Sequence, residues 1–565
     1  MGRPACGKTE HLNRNWTRGG MMTMQGLMMD TPLLLSMFIE HAGRYHGATE
    51  VVAREIDGRI HRSSYAEVHR RTQRMAKALR RLGVGEGTPV ATLAWNTYRH
   101  FEMFYAAPGS GAVLHTVNPR LFPEQLVYII NHAEDRWLFV DRLTLPIAEA
   151  IASRLTSIVG YVVMADADDM PETKLPNVHC YETLIAAEDE RDFAWPSFDE
   201  RSAATICYTS GTTGNPKGVV YSHRALVLQT LVGGSFAFFP DHRDGMREVM
   251  MPMAPLFHGN AWNMPFSACY TGSKLVLPGR NYEPEKLYEL IEGEGVTITA
   301  GVPSFWLILL DWLGRSGKRF STLRMSLSSG SAPPRSMVER LDRDYGVSYI
   351  QAWGMTEALM ATMPTPKPGS DMDDFDTRID LRMKSGRIAC GVSARIVDDA
   401  GQELPADGQA LGHLRVKSPW IASGYLKGGE ALDPEGYLIT GDMAVIDPDG
   451  YVTLRDRSKD VIKSGGEWIS SIELENAAAS HPDVLLAAVI AVPHPKWQER
   501  PLLLVVRREG ATVDAATLLA HIQPKVASWW LPDAVEFLDA FPMTATGKIH
   551  KLTLRERYRD YAPAP

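Results

Sequence analysis

The amino-acid sequence predicts a layered α/β fold built from more than one domain. Helical and strand-like patterns alternate along most of the chain, which favours sheets covered by helices over a β-sandwich or a helical bundle. The chain has 565 residues, more than a single hydrophobic core usually supports. Two or more domains are therefore expected.

The predicted elements begin with an amphipathic helix over 64–84. Its apolar residues recur at helical spacing, and Gly83 is the stop signal near its end. Strands and helices then alternate: strands are expected in 88–96, 136–141, 273–279, 296–303 and 323–334, and helices in 124–135 and 283–295. After Asp371, short strands broken by Asp-Gly turns predict antiparallel β structure.

A domain boundary is expected at Arg455 to Gly466, in the sequence RDRSKDVIKSGG. Its charge density and terminal glycine pair suit an exposed connection. Beyond it, helices are expected from Ser471 and from Asp514, and strands in 487–493, 500–508 and 534–542. This last piece, about 105 residues long, is large enough for a small α+β domain.

The N-terminal 29 residues are expected to stand apart from the fold. They lack the apolar core of a signal peptide, and Met21, Met22 and Met24 are candidate translation starts. This segment is expected to be either a disordered leader or sequence ahead of the natural start.

Composition narrows the classes of partner. The formal net charge of -8 argues against nucleic acid or an anionic membrane as the main partner, because both select basic surfaces. Five dispersed cysteines without a C-x-x-C pair exclude a cysteine-rich zinc module and a disulfide framework, and they fit a reducing compartment such as the cytoplasm. No apolar run approaches the length of a transmembrane helix.

The stretch YTSGTTGNPKGVVYSH, residues 208–223, has the glycine, hydroxyl and lysine content of a phosphate-binding loop. It differs from a P-loop because Lys217 comes three residues after Gly214 and is followed by Gly218 rather than Ser or Thr. Its flanks are strand-like on both sides, whereas a P-loop leads into a helix. The alternative interpretation is a Gly-Thr hairpin with a surface lysine.

Five stretches taken together carry more information than this loop alone. In chain order, they resemble the adenylate-forming superfamily of acyl-CoA synthetases, luciferases and peptide-synthetase adenylation domains. They are YTSGTTGNPKGV (208–219), APLFHGNAW (254–262), QAWGMTE (351–357), YLITGD (437–442) with RDRSKDVIKSGGEWIS (455–470), and PMTATGKIHK (542–551).

The resemblance covers roughly residues 30 to 555 and implies both an architecture and a reaction. It implies a large N-terminal domain (30–455) of stacked α/β subdomains with a β-barrel-like part, a hinge (456–465) and a small mobile α+β C-terminal domain (466–565). The implied reaction uses ATP and Mg²⁺ to convert a carboxylic acid into an acyl-AMP, and CoA then displaces AMP.

The resemblance also implies a role for each motif residue. The loop residues Thr209, Ser210, Gly211, Thr212, Thr213, Gly214 and Lys217 would hold the triphosphate. Thr356 would contact the α-phosphate, and Thr212 and Glu357 would hold Mg²⁺. The adenine would lie between the Gly330, Ser331 and Ala332 backbone and the wall formed by Gln351, Ala352 and Trp353. Asp442 and Arg457 would bind the ribose, and Lys459 and Lys463 would lie near the nucleotide.

The remaining predicted residues concern the acid, the thiol and the cation that joins the charges. Lys548 would reach the carboxylate and the α-phosphate. His258, Gly259, Trp262 and Gly301 would border the acyl group, and Gly465, Gly466 and Trp468 would line the CoA entry. Taken singly, several of these residues also fit ordinary structural roles: a helix-start acid for Glu357, a turn for Asp442, solvent for Lys548, and core packing for His258 and Trp262.

A medium- to long-chain fatty acid is the first substrate interpretation, because the stretch around Trp262 is apolar and resembles the fatty acyl-CoA branch. The first alternative is a short methylthioalkanoate such as 3-methylmercaptopropionate. Transfer to a carrier protein, oxidation of a luciferin-like acid, and a non-catalytic acyl-nucleotide sensor are further alternatives. A homodimer is expected from the resemblance, because an N-terminal segment helps to form a dimer in some relatives.

Overall fold

The computed structural model describes residues 26–209, 215–237, 247–363, 365, 367, 369–465, 467–544 and 548–561. Of the N-terminal segment expected to stand apart, only residues 26–29 belong to these ranges; they are exposed and form neither helix nor strand. Among the helices of the described residues, none is long and apolar enough to cross a membrane.

Helices and strands alternate as the sequence predicts. The helices are α1 (Ser36–Tyr45), α2 (Tyr65–Arg81), α3 (Tyr98–Gly109), α4 (Pro123–Ala133), α5 (Leu145–Ile151), α6 (Tyr181–Ala186), α7 (His223–Ala237), α8 (Gly259–Trp262), α9 (Met264–Thr271), α10 (Pro284–Glu294), α11 (Pro303–Ser316), α12 (Arg335–Tyr345), α13 (Phe375–Met383), α14 (Ser471–Ala479), α15 (Ala515–Ile522) and α16 (Lys551–Arg557). The strands are β1 (Glu50–Arg54), β2 (Ile60–Ser64), β3 (Pro89–Leu93), β4 (Val113–Val117), β5 (Trp137–Asp141), β6 (Gly160–Met164), β7 (Val178–Cys180), β8 (Ala203–Tyr208), β9 (Gly218–Ser222), β10 (Val249–Pro252), β11 (Lys274–Leu277), β12 (Ile298–Ala300), β13 (Met325–Ser328), β14 (Ser348–Gln351), β15 (Gly354–Met355), β16 (Leu359–Met360), β17 (Thr362–Met363), β18 (Arg387–Ile388), β19 (Ser393–Val397), β20 (Gly412–Lys417), β21 (Leu438–Ile446), β22 (Val452–Arg457), β23 (Ile462–Ser464), β24 (Glu467–Ile469), β25 (Val484–His494), β26 (Gln498–Arg507) and β27 (Ala534–Phe537).

Two seven-stranded sheets form the bulk of the N-terminal region. The first sheet has the order β7-β6-β5-β3-β4-β8-β9, and the second sheet has the order β14-β13-β12-β10-β11-β1-β2. Neighbouring strands are parallel except at one edge of each sheet. At that edge, β9 pairs antiparallel with β8 in the first sheet, and β2 pairs antiparallel with β1 in the second sheet. Parallel strands need crossover connections, and the helices that make them cover the sheet faces. The predicted layered α/β fold is confirmed.

Helix α3 is buried along its whole length in the main hydrophobic core, which takes residues from both sheets. Its buried polar residues are paired. The Glu102 carboxylate accepts a hydrogen bond from Arg71 Nε at 2.5 Å and another from the Tyr181 hydroxyl at 2.8 Å. Pairing of this kind is what allows charged groups to be buried in a core.

Two smaller sheets follow. Strands β19 to β22 form an antiparallel sheet where the sequence places its Asp-Gly turns; this third sheet is the part that the resemblance led us to expect as barrel-like. Strands β23 to β27 form the C-terminal sheet, with α14 and α15 packed on its own core cluster. The chain passes from one sheet to the other between Arg457 and Ile462, inside the segment proposed as the hinge.

The segment between these sheets is tied to the C-terminal domain. Asp456 is buried and accepts a hydrogen bond from the backbone N–H of Ser471 at 2.7 Å. Asp460 forms an ion pair with Arg555. Part of this charged segment therefore serves internal pairing, which the sequence alone did not indicate.

The C-terminal domain docks on helix α11 of the N-terminal domain. Leu307 packs against the core cluster that contains β25 and β26. Two ion pairs flank this contact: Arg508 Nη1 lies 2.6 Å from Asp311 Oδ1, and Arg315 Nη1 lies 2.5 Å from Glu509 Oε2. This contact holds the two domains in the arrangement described below.

We expect Arg508→Asp to loosen this docking, because it places a second carboxylate beside Asp311. Tryptic cleavage in the segment 455–463 should become about fivefold faster, as expected for ~1 kcal/mol of lost pairing and added repulsion. The measurement is the rate at which the two-domain fragment pattern appears by mass spectrometry. The double variant Arg508→Asp with Asp311→Arg restores an opposite-charge pair and should return the rate to its original value; unchanged cleavage in the single variant would contradict the docking role.

Candidate active site

The carboxyl ends of the second sheet's parallel strands bring several predicted residues to one edge. Gly301 directly follows β12, and Ala352 directly follows β14. Gly330 lies two residues beyond β13. Ligands of open parallel sheets bind outside this edge, because the strand ends and the following loops leave a crevice there.

Residues 328–332 form a backbone shelf at this edge, in which Ser328 and Ser329 are buried and Gly330 is exposed. The Ala352 N–H donates to the Ser328 carbonyl at 2.9 Å, which fixes the shelf against the 351–353 segment. Gly330 has a φ of +94°, a conformation that favours glycine. Ser331 is exposed and Ala332 is half-buried, whereas Gln351 and Ala352 are buried behind the shelf.

Asp442 lies on β21 and is buried, with only 7% of its surface exposed. Its Oδ2 accepts a hydrogen bond from the Trp353 indole Nε1 at 2.8 Å, and its Oδ1 lies 3.4 Å from Arg457 Nε on the neighbouring strand β22. Three of the residues predicted to surround the adenosine are thus in contact, and the Trp353 indole donates a hydrogen bond in addition to its predicted role as a wall.

Lys548 extends from the C-terminal domain onto the shelf. A methyl group placed on Gly330 would lie 2.5 Å from Lys548 Cε and 2.7 Å from its Nζ, so a side chain at position 330 would displace the end of this lysine. On the other side, the Lys548 backbone N–H donates to Thr544 Oγ1 at 3.0 Å, and the Lys548 carbonyl accepts from the Thr544 N–H at 2.6 Å. Both bonds join Lys548 to Thr544 and hold the backbone from which the lysine side chain extends.

The surroundings of Lys548 lower the pKa of its ammonium group. Burial lowers it most, the Arg457 guanidinium lowers it further, and the Asp442 carboxylate raises it, with a result of about 8. Burial and then the Lys548 ammonium lower the pKa of His258 to about 3, so His258 is a neutral imidazole at physiological pH. Lys548, His258, Asp442 and Arg457 therefore share one electrostatic site.

The predicted triphosphate loop connects β8 and β9, which form an antiparallel hairpin. Thr209 and Lys217 close its base: the Thr209 N–H donates to the Lys217 carbonyl at 2.9 Å, and the Lys217 N–H donates to Thr209 Oγ1 at 3.3 Å. The loop residues Ser210, Gly211, Thr212, Thr213 and Gly214 lie outside the described residues.

Glu357 and Thr356 follow β15 and are anchored by two tyrosines. The Tyr425 hydroxyl donates to Glu357 Oε1 at 2.7 Å, and the Tyr221 hydroxyl donates to the Thr356 carbonyl at 2.6 Å. The Lys217 ammonium lies 4.6 Å from the centre of the Tyr425 ring. Glu357 and Lys217 are therefore brought together through Tyr425, which the sequence analysis missed.

The donor set at Glu357 fits Mg²⁺. A carboxylate oxygen is the hard ligand that Mg²⁺ prefers, and Mg²⁺ often takes only one or two protein carboxylates together with phosphate oxygens. In the described ranges there is no cluster of three His, Cys, Asp or Glu side chains that could hold a metal by itself. A metal carried mainly by nucleotide phosphates is consistent with this arrangement.

The segment that bears Trp262 has an unusual backbone. Gly259, Asn260, Ala261, Trp262 and Asn263 all have φ between +50° and +58°. Such a left-handed turn costs about 1–2 kcal/mol for each residue with a Cβ. His258 and Trp262 therefore do not share a face of a right-handed helix, which was the structural alternative considered for this pair.

Side chains below the turn hold it in place. Asn260 Nδ2 donates to Thr205 Oγ1 at 3.2 Å, and Asn263 Nδ2 donates to Gln229 Oε1. Trp262 is half-buried against the main core. The strained backbone thus sets the direction in which the Trp262 side chain leaves the main chain.

Gly301 lies in apolar surroundings. A methyl group placed on it would be 2.6 Å from Met253 Cε and 3.7 Å from the Phe305 ring. The Phe305 ring stacks on Tyr282, with a centroid distance of 5.4 Å. The side chains nearest to that methyl position, Met253 and Phe305, are both apolar.

The residues predicted near the thiol lie on the C-terminal domain. Lys463 and Trp468 pair across the β23–β24 hairpin, and Gly465 forms its turn with a φ of +62°. Gly466 lies outside the described residues, and Lys459 is exposed in the segment between the domains. Trp497, which the sequence analysis also missed, packs on Gly465: a methyl group there would be 2.7 Å from its ring.

The fold and the site define a class of two-domain α/β protein in which a lysine of the smaller domain reaches a crevice at a sheet edge of the larger one. The chain belongs to the AMP-binding enzyme family. That family's model matches residues 38–426, and the model of the AMP-binding enzyme C-terminal domain matches residues 473–548. The resemblance inferred from the five stretches is confirmed.

Individual relatives cover nearly the whole chain. A 3-methylmercaptopropionyl-CoA ligase from Ruegeria lacuscaerulensis is 46% identical over 95% of this chain and 99% of its own length. A long-chain-fatty-acid–CoA ligase from Thermus thermophilus is 45% identical over 96% of this chain and 98% of its own. Among solved structures, ATP-bound MatB from Rhodopseudomonas palustris matches with a TM-score of 0.77 and 26% identity, covering 93% of this chain and 99% of that one.

We expect substitutions around Lys548 to move its pKa in opposite directions. Arg457→Gln removes a positive neighbour and should raise the pKa above about 8, whereas Asp442→Asn removes a negative neighbour and should lower it. The measurement is a pH titration of ¹³C-dimethylated lysines by NMR. Arg455→Gln, on the same strand but paired with Glu473, is the matched control and should leave this pKa unchanged. Shifts of the same sign in both variants would contradict the assigned neighbours.

Proposed function

We propose that this chain, an acid–CoA ligase of the AMP-binding enzyme family, activates an apolar aliphatic carboxylic acid in two steps at the site described above. The single observation that carries the proposal is the Lys548 ammonium on the Gly330 shelf, with Asp442 and His258 around it. A cation there stands between the groups expected to bind adenosine and those expected to border the acid.

In the first step, a carboxylate oxygen of the acid attacks the α-phosphorus of ATP. The new O–P bond forms as the bond to the β-phosphate breaks, which yields acyl-AMP and releases pyrophosphate. Two anions must approach each other, so charge neutralisation and positioning are the main tasks. Lys548 neutralises the approach, and neutral His258 adds no competing charge.

Glu357, together with Thr212, would hold the Mg²⁺ that accompanies ATP. When bound, that ion neutralises phosphate charge. Lys217 adds a second cation at the base of the loop expected to hold the triphosphate. Asp442 and Arg457 position the ribose, and Trp353 orients the Asp442 carboxylate through its indole N–H.

In the second step, the CoA thiolate attacks the acyl carbonyl carbon, and AMP leaves with the electrons of the broken C–O bond. Lys548 has no task in this step. We propose that the C-terminal domain (466–565) pivots at 456–465 and exchanges the Lys548 face for the β23–β24 hairpin with Gly465, Gly466 and Trp468. Domain alternation of this kind excludes water from both half-reactions.

Two acids are candidates for the substrate. A medium- to long-chain fatty acid is the first, supported by the apolar wall at Gly301 and by the relative from Thermus thermophilus. A short methylthioalkanoate such as 3-methylmercaptopropionate is the second, supported by the relative from Ruegeria lacuscaerulensis. A cytoplasmic location and a homodimer complete the proposal; the dispersed cysteines support the former.

We expect Lys548→Ala to slow acyl-AMP formation by about a hundredfold or more, as the loss of a transition-state charge partner does. Thioester formation from supplied acyl-AMP should change less than about threefold, because that step does not use the lysine. Pyrophosphate release and acyl-CoA formation measure the two steps separately. Lys525→Ala, an exposed lysine of the same domain, is the control. Equal losses in both steps would refute this role.

We expect a pyrophosphate-release screen with CoA to distinguish the two substrate candidates. The acids are unbranched acids from propionate to palmitate, 3-methylthiopropionate and benzoate. A fatty-acid enzyme should show kcat/KM rising to octanoate or beyond, whereas a methylthioalkanoate enzyme should prefer 3-methylthiopropionate.

We expect Trp262→Ala to change the ratio of kcat/KM between two acids by about tenfold, the scale of about one methylene in a pocket. The KM for ATP is the internal control, and a change confined to it would contradict a role of Trp262 beside the acyl group.

A further inference from the structure

Tyr425 contacts two charged groups that come from separate motifs. Its hydroxyl donates to Glu357 Oε1 at 2.7 Å, and its ring lies under the Lys217 ammonium at 4.6 Å. Glu357 follows β15, whereas Lys217 precedes β9 at the base of the hairpin loop. One half-buried side chain thus links an acid and a base that are far apart in the sequence.

The hydrogen bond from Tyr425 restricts the orientation of the Glu357 carboxylate without occupying all of its acceptor positions. Glu357 is 7% exposed, so few solvent contacts orient it. A carboxylate has about four lone-pair positions on two oxygens, and the phenol uses one of them. The remaining positions stay available to a cation, while the bond fixes the plane of the group. Neighbours that orient a metal's ligands in this way commonly set metal affinity.

The ring contact has a different effect on Lys217. The lysine is exposed, and a cation above an aromatic face is held only weakly at such a site. A charge-assisted bond to a phosphate oxygen is stronger. The ring therefore keeps the ammonium near the Glu357 carboxylate in the absence of nucleotide without competing strongly once phosphates arrive.

Backbone bonds fix Tyr425 relative to both motifs. The Leu426 N–H donates to the Gly218 carbonyl at 2.8 Å, next to Lys217, and the Ala422 N–H donates to the Glu357 carbonyl at 2.8 Å. Lys427 forms an ion pair of 2.6 Å with Glu134 at the end of α4. The segment 422–427 is therefore attached on three sides, and Tyr425 has little freedom to move away.

We propose that Tyr425 is a positioning residue that couples the Mg²⁺ carboxylate, Glu357, to the triphosphate cation, Lys217. The hydroxyl sets the carboxylate for the ion, and the ring sets the lysine for the phosphates. This inference rests on the proposed function, because it takes Glu357 and Lys217 as groups that meet Mg²⁺ and ATP. It adds a residue outside the five stretches that identified the family.

The test compares the affinity for α,β-methylene-ATP with and without Mg²⁺, measured by calorimetry on the full-length protein. Tyr425→Phe keeps the ring and removes the hydroxyl. Its Mg²⁺-dependent gain in affinity should fall about tenfold, the usual effect of losing a hydrogen bond to a charged group, and its metal-free affinity should stay within about twofold. Tyr425→Leu removes the ring as well and should also weaken metal-free binding.

Tyr437→Phe is the matched control. Tyr437 also pairs its hydroxyl with a side chain, Ser393 Oγ at 3.0 Å, and its ring lies 4.1 Å from the Arg395 guanidinium, but both of these partners lie on β19 of the third sheet. This variant should bind the nucleotide like the unsubstituted protein in both conditions. Thermal unfolding of each variant separates a general loss of stability from a local effect.

A double-substitution cycle gives the sharpest comparison. Glu357→Gln alone should abolish most of the Mg²⁺-dependent gain, and adding Tyr425→Phe should then change little, because the hydroxyl acts through the carboxylate. An unchanged Mg²⁺-dependent gain in Tyr425→Phe, or equal losses with and without Mg²⁺, would overturn the coupling. Failure of the proposed function would look different: the unsubstituted protein itself would show no ATP binding strengthened by Mg²⁺.

Discussion

The structure depends on keeping one ammonium group in a cleft that two domains build together. Lys548 belongs to the C-terminal domain, but the surface it covers, Gly330, belongs to the second sheet. Burying an ammonium costs free energy, which the pKa lowered to about 8 records. The Asp442 carboxylate offsets part of this cost. The docking of the C-terminal domain on α11 helps to hold the lysine in the cleft. Neither domain alone contains the site.

The two acids of the candidate site are held by the same kind of hydrogen bond. Asp442 and Glu357 are each buried, and each accepts a hydrogen bond from an aromatic side chain, the Trp353 indole or the Tyr425 phenol. An aromatic donor satisfies one oxygen and shields the group from water without adding a charge. At Asp442 the Arg457 guanidinium lies 3.4 Å from the other carboxylate oxygen, so this acid has one neutral and one cationic neighbour. At Glu357 the Tyr425 phenol occupies Oε1.

The sequence predicted elements and motifs better than it predicted contacts. Helix α2 was expected over 64–84 and spans Tyr65–Arg81, because its periodicity, cap and glycine stop are all local signals. The positions of Gly301 and Gly330 near the carboxyl ends of strands also follow from the sequence, because strands were predicted in 296–303 and 323–334. Tyr425 was missed because its partner Glu357 lies 68 positions away, and no local pattern reports such a contact. Trp497 was missed for the same reason, since its contact with Gly465 joins the turns of two separate hairpins.

The left-handed turn at 259–263 shows why a family motif does not by itself give a geometry. The letters GNAWN contain a glycine and two asparagines, the residues that tolerate positive φ best, so the signal was present in the sequence. Ala261 and Trp262 have no such tolerance, and their strain persists only because Asn260 and Asn263 bond to the strand and helix beneath. The turn sets the direction in which the Trp262 side chain leaves the main chain, and the half-buried indole packs against the main core. That direction differs from the one a regular right-handed helix would give. The surroundings of the indole therefore follow from the backbone of the turn and not from its four-residue spacing to His258.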